Sequence, residues 1–238
     1  MNIVDVLIIL IIACAAVIGF KRGFFKELVM TIGFLLVFIV SYLFKNPVAE
    51  ILSLRLPFIE FGSAIKSADV FNIIFYQFVA FILVFIIAMV LFRILLSISG
   101  FIEKVLKFTI ILGIPSKILG ALVGAIEGYI IAFVVVFVLN QPMLDVGIMS
   151  SSKMKNFVLN STPGLTQIVS GVGDTIEDIY QLMEDKTYEK NVDKFNRDAI
   201  DIMLKHKMIK VGYVEKLIEA DKINIPGINQ VLNQYKKK

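Results

Sequence analysis

Glu127 is the residue most suited to chemistry, because it is an acid inside an apolar stretch. It lies about 14 Å into residues 118–139 at 1.5 Å per residue. An ionised side chain at that depth in hydrocarbon costs roughly 2.5 kcal/mol or more, so it should face a partner or water. Arg93, about 8 Å before the end of the preceding apolar stretch, is the expected partner. Two interpretations stay open: a buried ion pair or protonatable group on a polar path, and a device that packs helices.

Three glycines share a helical face with this acid. Gly120, Gly124 and Gly128 recur at every fourth position, and helical geometry places Glu127 beside them. Small residues allow a second backbone to approach closely, which is how helices associate in lipid. The pattern predicts close packing against another helix, either in the same chain or in a second copy.

A second polar group surrounds the very short connection between the first two apolar stretches. Gly23 is expected in a left-handed conformation that ends the first helix. Glu27 then falls in the first turn of the next helix. There its negative charge interacts favourably with the positive end of the helix dipole, and it could pair with Arg22. The corner is either a hairpin tip with basic side chains reaching the interface or a functional corner.

Familiar catalytic constellations cannot be assembled from these residues. His206 is the single histidine and Cys14 the single cysteine, so neither a histidine-based triad nor a metal cluster is predicted. We therefore expect no enzyme activity, no catalytic residue, no cofactor and no metal. The modest net charge of +4, spread along the chain, gives no reason to expect nucleic acid as a partner.

Four apolar stretches must position the polar residues. Each is long enough to cross about 30 Å of hydrocarbon, where unpaired peptide groups force a helix. Only 18% of all residues are charged, and 58% are hydrophobic. We predict an all-α protein: a four-span transmembrane helical bundle in the lipid bilayer, followed by a small helical extramembrane tail. The predicted spans are 2–20, 24–44, 71–98 and 118–139, with a connector at 140–173 and the tail module at 174–238.

Lysine and arginine in the short connections predict orientation. The first and third connections hold seven basic residues and the second holds three, which favours the first and third in the cytoplasm. The N-terminus and the tail are then extracytoplasmic. Two segments stay ambiguous. Residues 101–112 form either an interfacial helix or a continuation of the third span, and residues 51–61 are interfacial or re-entrant.

Two motifs resemble the colicin V production protein (CvpA) family. They are residues 19–27, Gly-Phe-Lys-Arg-Gly-Phe-Phe-Lys-Glu, and residues 120–128, Gly-Ala-Leu-Val-Gly-Ala-Ile-Glu-Gly. Residues 160–163, Asn-Ser-Thr-Pro, resemble a segment of its Gram-positive members, and the likeness covers about residues 1–170. The tail resembles a C-terminal extension of such members.

The resemblance implies a multi-pass protein of the bacterial cell membrane linked to toxin biosynthesis, secretion or the cell envelope. The leading hypothesis is a non-enzymatic scaffold for toxin production, export or envelope maintenance. The expected partners are the bilayer, a second copy through the Gly120, Gly124 and Gly128 face, and an extracytoplasmic protein on the tail. The alternative is a small oligomeric channel or transporter that uses Arg93 and Glu127.

Overall fold

The computed structural model describes residues 2–59, 69–98, 101–140, 152–188 and 191–236. Every regular element in these ranges is an α-helix, which confirms the predicted all-α class. The helices are α1 (Ile3–Arg22), α2 (Phe24–Arg55), α3 (Asp69–Ile98), α4 (Phe101–Leu139), α5 (Lys153–Asn160), α6 (Pro163–Glu184), α7 (Val192–Lys205), α8 (Val211–Glu219) and α9 (Ile228–Lys236).

Four helical segments are long and apolar enough to cross a membrane: Ile3–Arg22, Phe24–Arg55, Asp69–Ile98 and Gly113–Leu139. Many of their large apolar side chains point outward; Leu10, Leu43 and Leu95 are each more than half exposed. An exposed apolar surface of this extent is unfavourable in water but natural against acyl chains. The protein is therefore a multi-pass membrane protein.

Of the two ambiguous segments, residues 101–112 are helical throughout, whereas residues 51–61 are helical only as far as Arg55 in their described part. Residues 101–112 join the fourth span across Gly113, whose φ of 55° and ψ of −130° interrupt α4 just before Pro115. On the other side, α2 continues through Pro47 to Arg55, so residues 51–55 extend the second helix. Residues 60 and 61 lie outside the described ranges.

The described chain divides into two compact units. The first unit comprises Met1–Val40 and Phe85–Thr166. Its central contact is α1 against α4. At one end of this unit the buried Asp5 accepts hydrogen bonds from the Ser152 hydroxyl at 2.6 Å and the Met154 amide at 3.2 Å, which fixes the start of α5 against α1. The Tyr129 hydroxyl adds a hydrogen bond to the Val158 carbonyl at 3.4 Å.

The second unit comprises Ser41–Val84 and Gln167–Lys238. It combines the end of α2 and the start of α3 with the tail helices. Its core is formed by side chains that are almost completely buried: Val70, Ile73, Ile179, Phe195, Ala199, Ile200, Met203, Val214, Leu217 and Leu232. The tail helices are amphipathic, and their apolar stripes recur at the three- and four-residue steps that predict a small helical bundle.

Part of the predicted connector is helical. Residues 163–173 belong to α6 rather than to a loop. Pro163 is its first residue, where a missing N–H is harmless and the fixed φ favours a helix. The predicted modules, 1–139, 140–173 and 174–238, stay a prediction.

Candidate functional site

The turn between α1 and α2 is built on glycine. Gly23 has φ 77° and ψ 165°, a region that is essentially restricted to glycine. The positive φ agrees with the sequence prediction, but the ψ value is that of an extended chain rather than of a left-handed helix. The Gly23 amide donates to the Gly19 carbonyl at 2.8 Å, and the Glu27 amide donates to the Gly23 carbonyl at 3.0 Å. One residue therefore suffices to separate two spans.

The glycine face of α4 packs against α1 of the same chain. A Cβ added to Gly120 would lie 2.7 Å from the Gly23 carbonyl carbon, and one added to Gly124 would lie 3.1 Å from the Gly19 Cα. A Cβ on Gly128 would lie 2.7 Å from the Ala15 Cβ. The backbones of α1 and α4 thus touch along two helical turns. Self-association through this face stays a prediction, and in the described chain α1 covers it.

The first helix contributes small residues to the same crossing. Gly19 is buried, and a Cβ placed on it would lie 3.0 Å from the Gly120 carbonyl carbon.

Ser116, one turn before Gly120, accepts a hydrogen bond from the Phe24 amide at 3.2 Å through its hydroxyl oxygen. This bond satisfies one of the first amides of α2, which have no acceptor inside their own helix. The start of α2 is therefore tied to the start of the fourth span.

Beside this crossing lies a polar cluster formed by Arg22, Glu27, Thr31 and Glu127. The Arg22 guanidinium donates to the Glu27 carboxylate at 3.2 Å, so the expected ion pair is present. The Glu27 side chain is 1% exposed and that of Arg22 is 37% exposed. A buried carboxylate is tolerable when a cation and hydrogen-bond donors surround it. The ion pair and the first turn of α2 together supply that environment.

Glu127 has a different partner from the one expected. The Thr31 hydroxyl donates to its carboxylate at 2.8 Å, and the Glu27 and Glu127 carboxyl groups lie close enough to interact. Among the ion pairs of the described residues, none joins Glu127 to Arg93, whose side chain is exposed on α3. The predicted pairing of Arg93 with Glu127 is therefore wrong. The physical reason is the rotation of each helix about its own axis: α2 presents Thr31 to Glu127, whereas Arg93 lies on an exposed face of α3.

Sequence reasoning missed three contacts in this region: the packing of Gly19 against α4, the hydrogen bond of Thr31 and the hydrogen bond of Ser116. A signal for Thr31 was available, because it lies four residues after Glu27 in an otherwise apolar stretch and so shares its helical face. Gly19 stands four residues before Gly23, the spacing of a small-residue face. Nothing in the sequence links Ser116 to Phe24, since that contact depends on how the two helices meet.

The cluster and the glycine crossing occupy a region that is shared by a known family. The family model described as colicin V production protein matches residues 4–163. The chain belongs to the colicin V production protein family. The match covers all four spans and α5, so the family region includes every residue of the polar cluster and of the glycine crossing. Comparison with curated proteins and with solved structures gives no match.

Membership of the colicin V production family explains the two motifs that carried the resemblance. The first motif supplies the turn and the Arg22–Glu27 pair, and the second supplies the glycine face and Glu127. The structure brings both motifs together at one place in the first unit. Chemically, the arrangement is suited either to bracing three helices through an ion pair and a hydrogen bond or to passing a proton between two carboxyl groups.

Proposed function

We propose that this member of the colicin V production family is a non-enzymatic membrane scaffold that supports toxin production or export, or envelope maintenance. The spans would anchor a folded helical unit at the membrane surface, and that unit would recruit a protein partner. The proposal is supported by family membership and by the way the second unit is constructed. Catalysis plays no part in it.

The observation that carries this proposal is the attachment of the tail to the ends of two spans within the second unit. The Tyr213 hydroxyl of α8 donates to the Ser53 hydroxyl of α2 at 2.9 Å, and both groups are buried. The Val70 amide of α3 donates to the Asn196 side chain of α7 at 3.3 Å. Such buried, satisfied polar contacts specify one arrangement. A tail held in this way is suited to presenting a fixed surface.

Aromatic and charged contacts strengthen the same attachment. The rings of Phe71 and Phe195 stack with centroids 5.9 Å apart, and the Lys222 ammonium donates to the Leu56 carbonyl at 3.0 Å. An aromatic pair of this kind contributes roughly 0.5–1.5 kcal/mol beyond burial of its surface. The contacts involve α2, the chain after it, and α3, so the attachment does not depend on one helix.

Complementation tests the scaffold. In a host that lacks its own copy of the gene, the wild-type chain should restore toxin release or envelope integrity. Asn196→Ala, which removes the acceptor for the Val70 amide, should reduce complementation although the protein still inserts. Asn233→Ala, at an exposed position of α9, is the matched control. Full complementation by a chain cut after the family region would contradict the scaffold proposal.

A second candidate function, a small oligomeric channel or transporter, is favoured by one observation. Glu27 and Glu127 interact within the spans with Thr31 beside them, and intramembrane acids commonly mark ion or proton paths. In this version Glu27 takes the place that the sequence analysis gave to Arg93. Proton flux into liposomes, abolished by Glu127→Gln and retained in Asp5→Asn, would support it. Absence of flux in wild type, with complementation intact, would favour the scaffold.

We further propose that the N-terminus and the tail are extracytoplasmic. The support is the excess of lysine and arginine in the first and third connections. A cysteine introduced by Lys238→Cys, after Cys14→Ala, should react with a membrane-impermeant reagent added to intact protoplasts. Reaction only after lysis would place the tail in the cytoplasm.

A further inference from the structure

A cavity of about 470 Å³ lies in the second unit between the end of α2 and the start of α8. Its size is typical of sites for small molecules. The apolar part of its lining comes from Leu43, Phe44, Pro47 and Ile209. The polar part comes from Asn46, Glu50, Lys210, Tyr213 and Lys216. The cavity therefore combines an apolar wall with basic and hydrogen-bonding side chains.

The position of this cavity along α2 matches the membrane interface. Counting from Phe24, residues 43 and 44 lie about 30 Å along the helix, which is the thickness of the hydrocarbon core. Leu43 and Phe44 are both more than half exposed, as expected for side chains that contact acyl chains. With residues 24–44 as the hydrocarbon crossing, Glu50 and the two lysines that line the cavity with it fall at the level of the lipid headgroups.

The charges in the cavity favour an anion. Lys216 forms an ion pair with Glu50, and Lys210 brings a second cation to the same lining. Two lysines against one carboxylate give the lining a net positive charge. A ligand with a phosphate near Lys210 and an apolar part against Leu43 and Phe44 fits this lining.

One side of the cavity is well packed. Tyr213 is 5% exposed, and its hydroxyl bonds to Ser53 on α2. Burial raises the pKa of Tyr213 to about 12, so the hydroxyl keeps its proton and this bond at every physiological pH. Gly212, next to it, has open space where a side chain would be. Packing of Tyr213 against Ser53 therefore fixes one side of the cavity.

We propose that this cavity binds one anionic phospholipid, with the phosphate inside and the acyl chains along Leu43 and Phe44. Phosphatidylglycerol has this chemistry. The lipid would occupy a defined site on the second unit, distinct from the general lipid contact of the spans. The inference does not depend on whether the protein is a scaffold or a channel.

Native mass spectrometry of the full chain in detergent tests this site by titration with short-chain phosphatidylglycerol or phosphatidylcholine. We expect one phosphatidylglycerol to bind in preference to phosphatidylcholine. Lys210→Ala should weaken binding about fivefold, the effect of one basic residue near an anionic headgroup. Lys205→Ala, an exposed lysine of α7 outside the cavity, is the matched control and should bind as wild type does.

Gly212→Leu provides a second variant, which adds a bulky side chain to the cavity lining at a position where an added Cβ meets nothing within 4 Å. Because leucine favours a helix more than glycine does, α8 should fold at least as well, which thermal unfolding checks. Binding of phosphatidylglycerol should be lost. Equal binding of the two lipids, or unchanged binding by both Lys210→Ala and Gly212→Leu, would overturn the proposal. Displacement of the lipid by glycerol 1-phosphate at similar concentration would also overturn it and indicate a soluble ligand.

Discussion

The crossing of α1 and α4 gives the sharpest test of how this membrane protein holds its shape. In Gly124→Ala, the new Cβ meets the Ala15 carbonyl and lies 3.1 Å from both the Ala15 carbonyl carbon and the Gly19 Cα. Carbon atoms prefer about 3.5–4.0 Å, and all these neighbours are backbone atoms that no rotamer change moves. The two helices must therefore separate by about 0.5–1 Å.

The cost of this separation follows from the packing lost along the crossing. Adding one carbon to a close-packed interior costs about 1–3 kcal/mol, and Gly124→Leu, with three more carbons, should cost more. Leu122→Ala is the matched control, because Leu122 lies on the same helix but is 58% exposed and faces lipid. Its truncation should change the stability by about 0.5 kcal/mol or less.

Thermal unfolding in a mild detergent, followed by helical circular dichroism, measures the difference. For a chain of this size, 2 kcal/mol corresponds to roughly 4–8 °C in the midpoint. We expect Leu122→Ala to have the highest unfolding midpoint of the three variants, Gly124→Ala a lower one and Gly124→Leu the lowest. If Gly124→Ala and Leu122→Ala unfolded at the same temperature, the close backbone contact would not contribute to stability, and the packing argument would fail.

Three further predictions concern other contacts. Gly23→Ala should destabilise the protein by about 1–3 kcal/mol, because its φ and ψ are strained for any residue with a Cβ; the same unfolding experiment checks this. Asp5→Asn weakens the acceptor for Ser152, so limited proteolysis should cut α5 faster than in wild type. Burial favours the neutral phenol of Tyr213 and raises its pKa from the ordinary value of 10.0 to about 12. The resulting stabilisation of the folded state is therefore fully present below pH 10 and is lost as the pH rises through about 12. Tyr213→Phe should therefore flatten the alkaline decline in the unfolding midpoint; an unchanged decline would mean that another group causes it.

Much of the fold is predictable from the sequence because lipid leaves the chain few choices. Apolar stretches of about 20 residues must be helices, and Gly23 must end the first of them within one residue. The spacing of Gly120 and Gly124 likewise indicates a close crossing. The spacing does not indicate which helix packs against these glycines, because α1, another span or a second copy of the chain would each give the same pattern.

The partner of Glu127 illustrates the limit of this reasoning. Depth along a helix follows from residue number, and on depth alone Arg93 was a reasonable partner. The rotation of each helix about its own axis depends on packing, and packing turns Thr31 toward Glu127 and leaves Arg93 exposed. The extension of α2 and α3 into the second unit escaped prediction for a similar reason. Nothing in the sequence around Val70 and Ser53 indicates that they bond to Asn196 and Tyr213 of the tail.

The second unit also constrains the order of events on the ribosome. The Val70 amide and the Ser53 hydroxyl emerge more than a hundred residues before their partners, Asn196 and Tyr213. Until synthesis is almost complete, the start of α3 presents Val70 and Ile73 without the core that buries them. A prematurely terminated chain would keep its spans yet expose this apolar surface, which is the kind of feature that proteases and chaperones recognise.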